Sequence, residues 1–186
     1  NKCFGEKELL SDFCMDIYFK EHVGIIGKNG CGKTTLLKIL MGKEKADSGV
    51  IKIGCSLQIG YLPQQVTFSN EEKTVLDTFR EDLSIDEGKA RELLAKYLFR
   101  NEQVFKKVKN LSGGEKSRLL LAKLMQKEVN FLILDEPTNH LDITARESLE
   151  EALLLFQGTI LFVSHDRYFI NRIATKIVEI EDKKAV

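Results

Sequence analysis

Short apolar runs punctuated by glycines alternate along this chain with longer stretches of helical period, the pattern of an α/β fold. Residues 23–26 predict a buried strand that runs into Gly27. A helix follows from about Gly32 to Leu40 and stops near Gly42. Residues 50–53 and 57–62 predict two strands of a hairpin or small sheet. The runs NFLIL (130–134) and TILFV (159–163) are apolar throughout, as expected of parallel strands covered on both faces. Residues 176–180 predict a last strand. The middle of the chain differs. From about Phe68 to Gln126 the pattern is helical and charged, with Ser84 and Glu87 spaced as a capping box that opens a helix through Leu98. A later helix over 144–156 places Leu149, Ala152, Leu153 and Phe156 on one face, which reads as core. The domain division is then a core of about 1–64 and 127–186, with a helical subdomain at about 65–126. Repeats and low-complexity tracts are absent, and proline occurs only at 63 and 137.

Composition narrows the picture. The chain has 186 residues, 43% of them hydrophobic, enough for one domain with a real core. No apolar run approaches the roughly 20 residues that cross a bilayer, so no membrane segment is expected. Asn1 opens the chain in mid-pattern without a Met, as expected of part of a longer protein. Lys plus Arg and Asp plus Glu are equal at 28 each. A domain devoted to gripping nucleic acid is usually basic, so any grip on RNA is expected elsewhere. Cys3, Cys14, Cys31 and Cys55 show no paired metal spacing, which predicts free thiols in the cytoplasm. The basic run FKKVK (105–109) predicts a solvated face.

The chemistry concentrates in a few short strings. Residues Gly27, Lys28, Asn29, Gly30, Cys31, Gly32, Lys33 and Thr34 fit G-x-x-x-x-G-K-[ST], between a strand and a helix as that motif requires, and Thr35, which follows, is a further cofactor-binding candidate. Glycines there let backbone N–H groups face phosphate oxygens, and the helix N-terminus adds its positive end. Lys33 can reach the β- and γ-phosphates, and Thr34 can place its hydroxyl on Mg²⁺. FLILDE (131–136) ends a buried strand in two acids. Asp135 is expected to hold Mg²⁺. Glu136, turned the other way by strand alternation, is expected to polarise the attacking water. TILFVSHDR (159–167) ends the next strand at His165, placed to touch the γ-phosphate. His22 has no predicted role, and His140 reads as a loop-fixing residue.

Ser112 and Glu115 are spaced as a capping box, so LSGGE (111–115) opens a helix in any reading. With Gly113 and Gly114 it also offers N–H groups and a hydroxyl, a phosphate site some 80 residues from the phosphate loop. It is expected to serve ATP held by another domain. Gln64, or its neighbour Gln65, sits where core gives way to helices and can ligate Mg²⁺ or water. Phe4 can stack on adenine or serve as a core aromatic.

In this order, these motifs resemble an ATP-binding cassette ATPase domain over almost the whole chain. The resemblance implies a P-loop NTPase core of ABC type, with a small antiparallel β subdomain and an inserted α-helical subdomain. DEPTNHLD (135–142) resembles the ABC-F class, which carries two cassettes in one chain and no membrane domain. LFRNEQVFKKVKNLSGGEKSR (98–118) is similar to the second cassette of bacterial members. By position the resemblance implies that Gln64 is the glutamine-loop residue, Ser112 to Glu115 the signature, Asp142 an acid facing the second cassette, and His165 the switch. It implies an ATPase that needs ATP, Mg²⁺ and a second cassette, in the same chain or as a second copy. It also implies action on the ribosome and slow turnover alone. Cys31 departs from the usual Ala or Ser, which predicts thiol-sensitive ATP binding. Phe4 departs from the usual Tyr, and Lys20-Glu21-His22 from the usual turn. Two other readings stay open on sequence alone: the engine of a membrane transporter, and a module that uses nucleotide only to fold.

Overall fold

The computed structural model describes residues 1–4, 7–139 and 141–186. Its elements alternate as the periodicity predicts. Strands β1 (Lys2–Phe4) and β2 (Lys7–Leu10) form a two-stranded antiparallel sheet. A second sheet contains β3 (His22–Gly27), β4 (Ile59–Leu62), β5 (Phe131–Asp135), β6 (Thr159–Val163), β7 (Lys176–Glu181) and β8 (Lys184–Ala185). Its order is β4-β5-β6-β3-β7-β8. Strands β5, β6, β3 and β7 run parallel to one another, and β8 turns back antiparallel on β7. Parallel strands bury both faces, and all five residues of β6 are buried, as its unbroken apolar run demands.

The helices are α1 (Lys33–Leu40), α2 (Val75–Arg80), α3 (Glu87–Lys96), α4 (Gly113–Leu124), α5 (Ile143–Leu154) and α6 (Arg167–Ile173). Two compact units result. The first comprises residues 1–61, 129–137 and 157–186, and the second 62–128 and 138–156. In the first unit Leu36, Leu37 and Ile39 of α1 pack with Val23 and Ile25 of β3, Ile133 of β5 and Leu161 of β6. In the second unit Leu94, Phe99, Val104 and Leu119 are buried. The sequence division assigns 127–186 wholly to the core, whereas α5 clusters with the helical unit.

Several local expectations change. Residues 50–53 form no strand. Val50 is 84% exposed, and no described strand hydrogen-bonds to this segment, so its β-branched residues lack the partner a ladder needs. The strand expected over 57–62 shortens to Ile59–Leu62. Helix α3 is capped by Asp86, whose carboxylate accepts from Lys89 N–H at 2.9 Å, and not by Ser84. The acid immediately before the first turn reaches the free amides, and Ser84 lies two residues too far back. That helix also ends early, because Leu98 has φ 64°. Strand β8 and the short helices α2 and α6 carry too little periodicity to stand out in the sequence.

Candidate functional site

Three adjacent parallel strands, β5, β6 and β3, end at the same edge, and each hands the chain to a polar segment. Outside the carboxyl ends of parallel strands is where α/β sheets bind ligands. From β3 the chain enters the loop 27–32. Gly27 has φ 147°, and a Cβ there would lie 2.9 Å from the Ile180 carbonyl oxygen and 3.0 Å from Cys31 Sγ. Only glycine fits this turn. Gly30 and Gly32 also have positive φ. Gly32 stands at the N-cap of α1 and has no side chain to offer. The other five described α-helices are capped by the side chains of Thr74, Asp86, Ser112, Asp142 and Asp166. The first amides of α1 are thus left for an external acceptor, the arrangement that suits an anion.

Lys33 is 8% exposed. Its ammonium donates to the carbonyls of Gly27 at 2.8 Å and Lys28 at 3.0 Å, folded back over the loop. An ammonium has three donors, so one remains for a ligand. Lys28, Asn29 and Gly30 are exposed at the loop tip, and Cys31 and Thr35 are half-buried.

Asp135, 2% exposed, closes β5. Thr34 Oγ1 donates to its Oδ1 at 3.3 Å. Burial pushes the Asp135 carboxyl up, while the Thr34 hydrogen bond and the ammonium charges of Lys38 and Lys33 pull it back. A hydroxyl beside a carboxylate is the hard-oxygen donor set that Mg²⁺ takes together with phosphate oxygens. The residues present therefore fit that ion.

Glu136 lies one residue past the strand. Its φ of 51° is a left-handed conformation, and its N–H donates to the Val163 carbonyl at 2.9 Å. Its direction is set by this turn and not by strand alternation, which corrects the sequence argument. Its Oε1 lies 3.5 Å from His165 Nε2. Burial raises the Glu136 carboxyl, and the charges of His165 and Lys33 moderate the rise. His165 follows β6 by two residues, held between buried Ser164 and Asp166, which caps α6. The first unit thus brings Lys33, Thr34, Asp135, Glu136 and His165 to one sheet edge.

Two residues at this edge were missed. Lys38 lies one turn after Thr34 on α1, the i+4 spacing that shares a helix face, and its charge acts on Asp135. Tyr61 of β4 is half-buried, and burial together with the Asp135 charge raises its phenol. The sequence signal was its place three residues before Gln64.

The second unit carries the remaining candidates. Ser112 caps α4: its Oγ accepts from Glu115 N–H at 3.2 Å, and Ser112 N–H donates to Glu115 Oε2 at 2.7 Å. Glu115 is thereby committed within its own turn, and also to Lys106. Gly113 faces open space, with nothing within 4 Å of a built Cβ, and Gly114 is buried. Asp142 caps α5 through Ala145 N–H at 2.7 Å. Gln64 and Gln65 are both exposed in the bend after β4, so the choice between them stays open. Phe4 lies in β1, but its side chain falls outside the described residues, as does His140. The four cysteines are free thiols. The lysines of 105–109 are not simply solvated: Lys107 and Lys109 pair with Glu72 at 3.1 and 2.8 Å.

Residues 10–139 match the family described as ABC transporter. The ATP-binding protein Uup of Haemophilus influenzae is 46% identical over 182 residues, 95% of this chain and 28% of its own. ABC transporter F family member 2 of Arabidopsis thaliana is 45% identical over 184 residues, 96% of this chain and 27% of its own. A solved structure described as the ATP binding subunit of an ABC transporter superposes with a TM-score of 0.82. It covers 98% of this chain and 83% of its own at 22% identity, which establishes the fold. The chain belongs to the ABC transporter family of ATP-binding cassette ATPase domains. It spans just over a quarter of the length of these two relatives. No helix among the described residues is long and apolar enough to cross a membrane.

Proposed function

We propose that this domain binds ATP with Mg²⁺ at the ends of β3, β5 and β6, and hydrolyses it when a second cassette closes over the nucleotide. The observation that carries the reading is the gathering of Lys33, Thr34, Asp135, Glu136 and His165 at that edge, next to the uncapped N-terminus of α1. Amides of the 27–35 loop receive the phosphates, with Lys33 neutralising their charge. The Thr34 hydroxyl and Asp135, with Gln64 as a further donor, hold Mg²⁺, which when bound neutralises the β- and γ-phosphate oxygens. Glu136 accepts a hydrogen bond from water and aims its lone pair at the γ-phosphorus, in line with the bond to the leaving ADP oxygen. His165 steadies the Glu136 carboxylate and the water. Phosphoryl transfer needs little more than this positioning and charge neutralisation. Ser112, Gly113 and Gly114 complete the site of the other cassette, and Asp142 faces it. Phe4 stacks on adenine.

At the level of the whole protein, we propose an ATP-driven clamp acting on the ribosome in the cytoplasm. DEPTNHLD and the similarity to F family members support this over a transporter engine. Co-sedimentation with purified ribosomes, using the Glu136→Gln chain with and without ATP, tests it. ATP-dependent sedimentation supports the clamp. ATP binding without ribosome binding removes the ribosomal part and leaves the ATPase.

A further inference from the structure

The signature turn carries an electrostatic conflict. The start of α4 is read above as a seat for the phosphates of another cassette's nucleotide, and this inference rests on that reading. Yet Glu115 places a carboxylate at that same helix end, 2.7 Å from Ser112 N–H. The capping box needs this carboxylate, but its charge opposes an incoming phosphate and offsets the positive end of the helix. A counter-charge is present. Lys106 Nζ donates to both Glu115 oxygens, at 3.1 and 3.2 Å.

Lys106 is itself firmly held. Its carbonyl accepts from Val75 N–H at 3.0 Å, and Thr74 and Lys107 form an antiparallel bridge. Val108 N–H and Lys109 N–H donate to the carbonyls of Lys73 and Glu71. On the other side of the turn Lys116 pairs with Glu71 at 2.7 Å. Lys107 and Lys109 pair instead with Glu72, whereas Lys106 pairs with Glu115 of the turn.

We infer that Lys106 is a positioning residue for the reaction: it neutralises Glu115 and fixes the capping box, so that Ser112 and the Gly113 and Gly114 amides can receive another cassette's phosphates. The basic run before the signature is then part of the composite site, acting through Glu115.

The test follows ATP-driven pairing of two copies by light scattering, in the Glu136→Gln background that blocks turnover. Lys106→Met should raise the ATP needed for half-maximal pairing by about tenfold, the scale of one charge-assisted hydrogen bond. Lys106→Arg and Lys107→Met should pair like the parent. Lys106→Met combined with Glu115→Gln should recover most of the loss, because the uncompensated charge is gone. Binding of a fluorescent ATP analogue by the dilute single chain should be the same in Lys106→Met as in the parent. A double variant that pairs as poorly as Lys106→Met, or worse, overturns the inference in favour of a merely structural role. A Ser112→Arg control separates the two levels. If it blocks pairing while Lys106→Met pairs normally, the inference falls and the composite-site reading stands. If Ser112→Arg pairs normally, or the parent never pairs, that reading falls and takes the inference with it.

Discussion

Glu136 and His165 leave neighbouring parallel strands and meet with Oε1 3.5 Å from Nε2, although 29 residues separate them (165 − 136). Sheet register makes the meeting possible: Asp135 is level with Val163, and Glu136 N–H closes onto the Val163 carbonyl. Glu136 is held in a left-handed conformation there, a strained geometry that persists where the surroundings over-determine it.

If Glu136 aims the water, Glu136→Gln keeps ATP binding and loses turnover. A loss on the order of 10²- to 10⁴-fold is the scale of general-base catalysis. Single-turnover hydrolysis with labelled ATP checks it; activity within about threefold of the parent would remove Glu136 from this role.

Burial also makes Glu136 a pH-dependent liability. Its carboxyl holds a proton to higher pH in the folded chain than its ordinary 4.5, so the unfolded chain releases that proton first. Stability therefore falls as pH rises from below 4.5 through the raised value, then levels off. Glu136→Gln should accordingly melt higher than the parent at neutral pH without ligand, and the gap should close in acid. Turnover should run the other way, rising with pH as the carboxylate forms. Paired thermal melts across pH decide this, and a constant gap would contradict it.

Gly27→Ala places a methyl 2.9 Å from a backbone carbonyl at φ 147°. Strain of about 1–3 kcal/mol is expected, with loss of ATP binding. Lys33→Ala leaves the loop backbone intact and should weaken ATP binding on the order of 10- to 100-fold. Calorimetric titration together with a melt distinguishes the two variants.

Cys31 lies inside the phosphate loop, whereas Cys3, Cys14 and Cys55 are exposed elsewhere. Alkylation of Cys31 should abolish ATP binding, and bound ATP should slow it. Peptide mapping after timed maleimide labelling reads each thiol separately. Equal labelling of Cys31 with and without ATP would contradict its place at the phosphates.

The candidate site was legible because its residues sit in contiguous strings. Gly27 to Thr34 declares a loop, and the apolar runs that end at Asp135 and Val163 declare strands that stop at one edge. What stayed hidden depends on partners distant in sequence. Residues 50–53 read as a strand by composition, but a ladder needs a neighbour that composition does not reveal. Glu136 reaches His165 through a left-handed turn, a conformation that strand alternation does not reveal. Lys106 looked like part of a solvated basic run because its contact with Glu115 is set by the fold and not by the run itself. Helix α3 shows the same limit on a small scale: the Ser84–Glu87 spacing suggests a capping box, but Asp86 holds the N-cap.

The central claim is that one copy of the chain carries only half of each hydrolytic site. Specific ATPase activity measured against chain concentration, from nanomolar to tens of micromolar, tests it most directly. Activity per chain should be near zero when dilute and should climb as copies pair. Constant, rapid turnover at nanomolar concentration would mean that the chain completes its own site, and would contradict the account.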